Sequence, residues 1–170
     1  MSYQLWYSTP FANLNSNDLY ALTICNDIAE KSEFNNSQKR LGAYLELNMP
    51  KKIEFYGENY YRERVGKVMM KSTHAEMNTI MKFLKFNHVY KLTHILSNRK
   101  NKRKNNLRSS TLYVLRTLSN KTNDLIGRAC GLAKPCETCQ KYLAFHGVGT
   151  IKYTEYVNGI NVLHTMKLIN

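Results

Sequence analysis

The feature that most restricts the fold of this chain is the pair Asn158-Gly159. Both residue types tolerate positive φ, which makes the pair the strongest short hairpin signal in the sequence. Segments that read as strands flank it, Thr150 to Glu155 and Val162 to Leu168. Only about six residues join them, whereas a parallel crossover needs about a dozen or more. The two strands are therefore expected to be antiparallel, so the sheet ends in a C-terminal hairpin.

The rest of the chain alternates between helical and extended patterns. Ser16 to Phe34 reads as a helix, with an N-cap offered by Ser16, Asn17 or Asp18 and a stripe of Leu19, Leu22, Cys25 and Ile28. Cys25 lies on that stripe and reads as a packing residue. Leu41 to Leu47 and Lys52 to Tyr56 read as strands around the turn Asn48-Met49-Pro50-Lys51. The polar, Tyr-rich segment from there to Ser72 reads as a long loop. Thr73 to about Tyr90 is a second helix with an apolar face of Ile80, Met81, Phe83 and Leu84. Thr111 to Thr117 is a strand, and Cys136 to His146 a third helix, opened by Pro135 and closed by Gly147. The order α-β-β-α-β-α-β-β predicts an α/β fold: a five-stranded mixed sheet with helices on both faces.

Composition narrows the function. The 170 residues suit one domain, and 43% apolar content argues against a disordered or collagen-like chain. Lys and Arg number 25 against 12 Asp and Glu, a net charge of +13. That balance favours polyanionic partners, although a Lys- and Asn-rich chain also fits an A/T-rich coding bias. No apolar run approaches the roughly 18 residues of a membrane span, and Met1 to Phe11 lacks the features of a secretory signal. A cytoplasmic or nuclear protein is expected. In that setting Cys136-x-x-Cys139 reads as a metal or redox pair before a disulfide framework.

His74, Glu76, Cys136 and Cys139 carry the chemistry. His74 and Glu76 stand in the first turn of one helix, the two cysteines in the first turn of another. Spacing of i, i+3 puts both sulfurs on one face, and a helix N-terminus favours thiolates. One imidazole and two thiolates leave a tetrahedral zinc with an open position for water, as in catalytic sites. Glu76, two residues from His74, can serve that water as general base without ligating the metal. Plainer readings stand beside this one. Thr73-x-x-Glu76 fits a capping box, His74 fits a surface histidine, and a lone C-x-x-C fits a redox pair. Cys130 fits a core or loop cysteine, a support for the metal site or a resolving thiol. His88, His94, His146 and His164 have no companions at ligand spacing.

His74-Ala75-Glu76 with Pro135-Cys136-Glu137-Thr138-Cys139 resembles the H-x-E…P-C-x-x-C signature of the zinc-dependent cytidine deaminase superfamily. The element order is similar from about Ser16 to Leu168. The resemblance implies a three-layer α-β-α fold, zinc on His74, Cys136 and Cys139, and Glu76 as proton shuttle. The attacked atom would be C4 of a cytosine or C6 of an adenine. Gly57-Glu58-Asn59 looks like the family's sugar-contacting Gly-x-Asn, although it also fits a turn, and the backbone N–H of Ala75 would face the base. The terminal hairpin resembles nucleoside deaminases and related antibiotic- or toxin-type enzymes. The spacing of 59 positions from Glu76 to Pro135 is long for the compact nucleoside enzymes. Family members commonly form dimers or tetramers, so a homo-oligomer is implied.

The basic insertion at 97–109 accounts for much of that spacing. Asn98 to Arg108 carries six of the net positive charges and no apolar period. It reads as a solvated loop, as a nuclear-import run at Lys102-Arg103-Lys104, or as a nucleic-acid contact through Arg99, Lys100, Lys102, Arg103 and Lys104. In the last case Tyr56, Tyr60 and Tyr61 would stack bases. The sequence thus points to a deaminase of cytidine, deoxycytidine or their nucleotides. An RNA or single-stranded DNA editing deaminase and a non-catalytic, zinc-stabilised binding protein are the alternatives.

Overall fold

Asn158 (φ 48°) and Gly159 (φ 87°) both sit in the left-handed region, the type I′ geometry that matches hairpin twist. The strands they join pair antiparallel, with Val157 opposite Ile160 and Tyr153 opposite His164. The structure, a computed structural model, describes residues 1–32, 40–47, 53–65, 68–89, 107–118 and 130–169, and for 61–65, 68–73 and 87–89 the backbone alone.

In chain order the elements are β1 (Ser2–Pro10), α1 (Ser16–Glu30), β2 (Leu41–Leu47), β3 (Ile53–Glu58), β4 (Tyr60–Val65), β5 (Val68–Thr73), α2 (Ala75–Val89), β6 (Ser110–Thr117), β7 (Cys130–Gly131), α3 (Glu137–His146), β8 (Thr150–Val157) and β9 (Ile160–Ile169). The main sheet runs β1-β9-β8-β6-β2-β3, with the short β7 also paired to β6. Only β6 and β8 are parallel among these pairs, so the sheet is mixed.

The five expected strands are all present as β2, β3, β6, β8 and β9, but the count of five is too low. Two further strands, β1 and β7, join the sheet and make it seven-stranded. The expected long loop before Ser72 is also corrected: β4 and β5 form an antiparallel hairpin, Tyr60 opposite Thr73 and Val65 opposite Val68. The N-cap of α1 is Asn15 rather than one of the next three residues, its side chain accepting the Asp18 backbone N–H at 2.9 Å.

Alternation along the strands divides the core into two halves. On β2, Ala43, Leu45 and Leu47 face one side and Tyr44 the other; on β6, Leu112 and Val114 oppose Tyr113 and Leu115. α1 covers the Tyr44 side with Leu22, Cys25 and Ala21. Cys25 is fully buried there, a packing residue as its helical spacing predicts. α2 and α3 cover the other side with Ile80, Phe83 and Leu143. The result is three layers, α-β-α. The helices that carry the H-x-E and C-x-x-C residues share one face.

Two expectations meet their limits here. Arg99, Lys100, Lys102, Arg103 and Lys104 lie outside the described residues. At the end of the basic insertion Leu107 is only 3% exposed and packs in the core on the α2 side, whereas Arg108 and Ser109 are exposed. Among the described residues, no helix is long and apolar enough to cross a membrane.

Candidate zinc centre

β5 ends at Thr73 and α2 begins at Ala75, so His74 stands at the joint. The Asn78 backbone N–H donates to the His74 carbonyl at 3.0 Å and closes the first helical turn. At the other helix, Cys136 occupies the N-cap position of α3 with no side-chain capping bond. Its carbonyl accepts the Gln140 backbone N–H at 2.9 Å, and the Gln140 side chain donates to the Pro135 carbonyl at 2.7 Å. Gln140 was not anticipated; its signal is its place one turn after Cys136. Gly147, in the left-handed conformation, ends α3 as expected.

These two helix starts meet. His74 Nδ1 lies 3.6 Å from Cys136 Sγ and 3.3 Å from Cys139 Sγ. All three donor atoms lie within 4.8 Å of one another. Tetrahedral zinc, with bonds of about 2.3 Å to sulfur and about 2.0 Å to nitrogen, keeps its ligand atoms roughly 3.5 to 3.8 Å apart. The His74–Cys136 distance falls in that range and the His74–Cys139 distance just below it. Cys139 is fully buried and Cys136 exposed, so the cluster has one closed and one open side.

Electrostatics point the same way. Glu76 is 2% exposed, and its Oε2 has no hydrogen-bond partner. Burial pushes its carboxyl above the usual carboxylate range, opposed by its own backbone N–H and by His74. Burial also pushes the Cys139 thiol up, and the nearby Glu76 carboxylate and Cys136 add to the shift. A buried sulfur and a buried carboxyl, with a second sulfur at the exposed side, suit a cation that neutralises them. The capping box expected from Thr73 is not seen among the described residues: α2 begins at Ala75, which leaves His74 before its first turn, and the Glu76 carboxyl turns to its own N–H.

Ala75 is fully buried, and its carbonyl accepts the Thr79 hydroxyl at 2.8 Å. Asn59 is buried as well. Its Oδ1 accepts the Leu41 N–H at 2.8 Å and the Ser32 hydroxyl at 3.0 Å, fastening β2 and the end of α1 to the end of β3. Its neighbour Glu58 offers a carbonyl to the Asn78 side-chain amide at 2.8 Å. β3 approaches α2 so closely that a Cβ on Gly57 would lie 2.8 Å from the Thr79 nitrogen, which is why glycine stands there. Cys130 is buried in the core half under α1.

No curated protein matches the sequence. Among solved structures, cytidine deaminase from Burkholderia pseudomallei shares 12% identity over 88% of this chain and 91% of its own, with a TM-score of 0.46. Residues 15–155 match the family described as the cytidine and deoxycytidylate deaminase zinc-binding region. The chain therefore belongs to that zinc-binding family, with His74, Cys136 and Cys139 as the group that can hold the metal.

Proposed function

We propose that the protein is a zinc-dependent hydrolytic deaminase of a cytosine-type base, carried as cytidine, deoxycytidine or a nucleotide of either. His74, Cys136 and Cys139 are the zinc ligands in this reading, and Glu76 is the catalytic acid–base. A zinc ion held by these three side chains supplies Lewis acidity, which brings the pKa of water near neutrality. Glu76 takes the proton that water gives up, holds it on its buried carboxyl and delivers it to the ring and then to the departing amine. Oxygen replaces the exocyclic nitrogen at C4, one water is consumed and one ammonia leaves. The exposed side at Cys136 gives the base its approach.

The observation that carries this reading is the Glu76 carboxyl, buried with an unpartnered oxygen within one helical turn of His74. A carboxyl that stabilised the fold would have its donors supplied. The test measures bound zinc and ammonia release for the wild type and Glu76→Ala. A zinc-loaded, active wild type and a zinc-loaded, inert variant are expected. A folded wild type without zinc overturns the reading. A zinc-loaded wild type inert on every cytosine form points instead to a binding protein that keeps the metal for stability.

A further inference from the structure

One face of α2 runs on from His74. Asn78, Met81, Lys82 and Lys85 follow it at i+4, i+7, i+8 and i+11, all within a single stripe. These four line one wall of a cavity of about 480 Å³, in the size range of small-molecule sites. Glu58 and Tyr60, where β3 gives way to β4, and Lys31, which caps α1, complete it. Within this lining Asn78 is fixed by its backbone N–H, which donates to the His74 carbonyl, and by its side-chain amide, which donates to the Glu58 carbonyl. Asn78 lies about 6 Å along the helix axis from His74, four residues at 1.5 Å each.

The charge of this groove is one-sided. Among the described residues that line it, Lys31, Lys82 and Lys85 set three ammonium groups against the carboxylate of Glu58. Lys82 Nζ lies 3.5 Å from Glu58 Oε2, a solvent-exposed pair of little strength, and 5.7 Å from the centre of the Tyr56 ring. A phosphate offers these lysines a stronger, charge-assisted partner. The sugar of a bare nucleoside would use none of the surplus.

We propose that the groove holds a phosphate of the substrate, so that the base presented to Glu76 arrives on a nucleotide rather than on a free nucleoside. The inference rests on the deaminase reading above and names its substrate form. A mononucleotide and a single strand bring the same group to the groove, and the test separates them.

The zinc-loaded full chain is assayed with cytidine, cytidine 5′-monophosphate and an oligocytidylate of about ten residues. Their affinities are measured in parallel by calorimetry. A phosphorylated form should be favoured over cytidine by about tenfold or more in both kcat/KM and affinity, with the preference shrinking as salt is added. Preference for the monophosphate identifies a free nucleotide; preference for the oligomer alone identifies a strand. Lys82→Ala with Lys85→Ala should bring the ratio close to one, and Lys82→Arg with Lys85→Arg should retain it. Lys141→Ala removes an exposed lysine from α3 and should leave the ratio where it was. Equal or better use of cytidine by the wild type, or a ratio unmoved by the double alanine variant, overturns the proposal. A chain that deaminates none of the three overturns the deaminase reading, and the calorimetric ratio then still decides the groove.

Discussion

The two faces of the sheet each bury a carboxyl, and they treat it differently. Under α1, Asp18 is 7% exposed and fully engaged. Its Oδ1 accepts the Tyr113 hydroxyl at 2.8 Å and Lys152 Nζ at 2.6 Å, and its Oδ2 accepts the Asn15 amide at 3.1 Å. The bond to Asp18 adds to burial in pushing the Tyr113 phenol up. On the α2 side, Glu76 is more deeply buried and has an oxygen without a hydrogen-bond partner among the described residues. A buried carboxylate that serves the fold is surrounded by donors. One left incomplete suits the acid–base role proposed for Glu76.

Replacement of each carboxyl should break the comparison in opposite ways. The largest effect is expected from Glu76→Gln. Turnover should fall about 100- to 10,000-fold, the span of general acid–base catalysis, while the thermal midpoint stays level or rises as an unsatisfied buried group loses its charge. A variant that melts earlier and still turns over would make Glu76 structural. Next comes the metal. A zinc concentration about a thousandfold above its Kd adds roughly 4 kcal/mol of apparent stability. Chelation should remove this, as read by calorimetry. Cys139→Ser, at the closed side, should lower zinc occupancy more than Cys136→Ser at the open side.

Asp18→Asn should leave zinc occupancy and turnover unchanged but destabilise the fold by about 3 kcal/mol, because Lys152 is left partly buried without its partner. Adding Lys152→Met should recover most of that loss, as read in denaturant midpoints. The smallest effect concerns His146 at the end of α3, packed against the rings of Tyr142 and Phe145. Burial pushes its pKa below the usual histidine value. Its folded pKa thus lies below its unfolded one, so its contribution is complete above about pH 6.5 and is lost as pH falls through the lower value. His146→Gln should flatten that part of the stability profile and leave the Asp18 side untouched.

The candidate site was legible because its residues mark helix starts. Pro135 and the C-x-x-C spacing open α3, and His74 stands just before α2. Their meeting point was not legible from spacing alone: it depends on β5 and α2 joining at His74 and on the sheet order that brings α2 beside α3. The Asn158-Gly159 turn reads directly, since its backbone demand is local. β1 did not read as a strand because an edge strand exposed on both faces shows no alternation, and Leu5, Trp6 and Tyr7 in a row are all exposed around a register shift. The β4–β5 hairpin is hard to read from sequence for a different reason. The polar, Tyr-rich sequence of this stretch hides any strand pattern.

The pairing of β1 with β9, from Ser2 opposite Ile169 to Pro10 opposite Val162, bears on how the protein is made. Synthesis delivers β1 first and its partner some 150 residues later. At roughly 5–20 residues per second, that is a wait on the order of 10–30 s. During that interval an uncharged segment containing Leu5, Trp6 and Tyr7 has no strand to pair with. Within this sheet β1 is therefore the strand whose partner follows it at the greatest distance in synthesis.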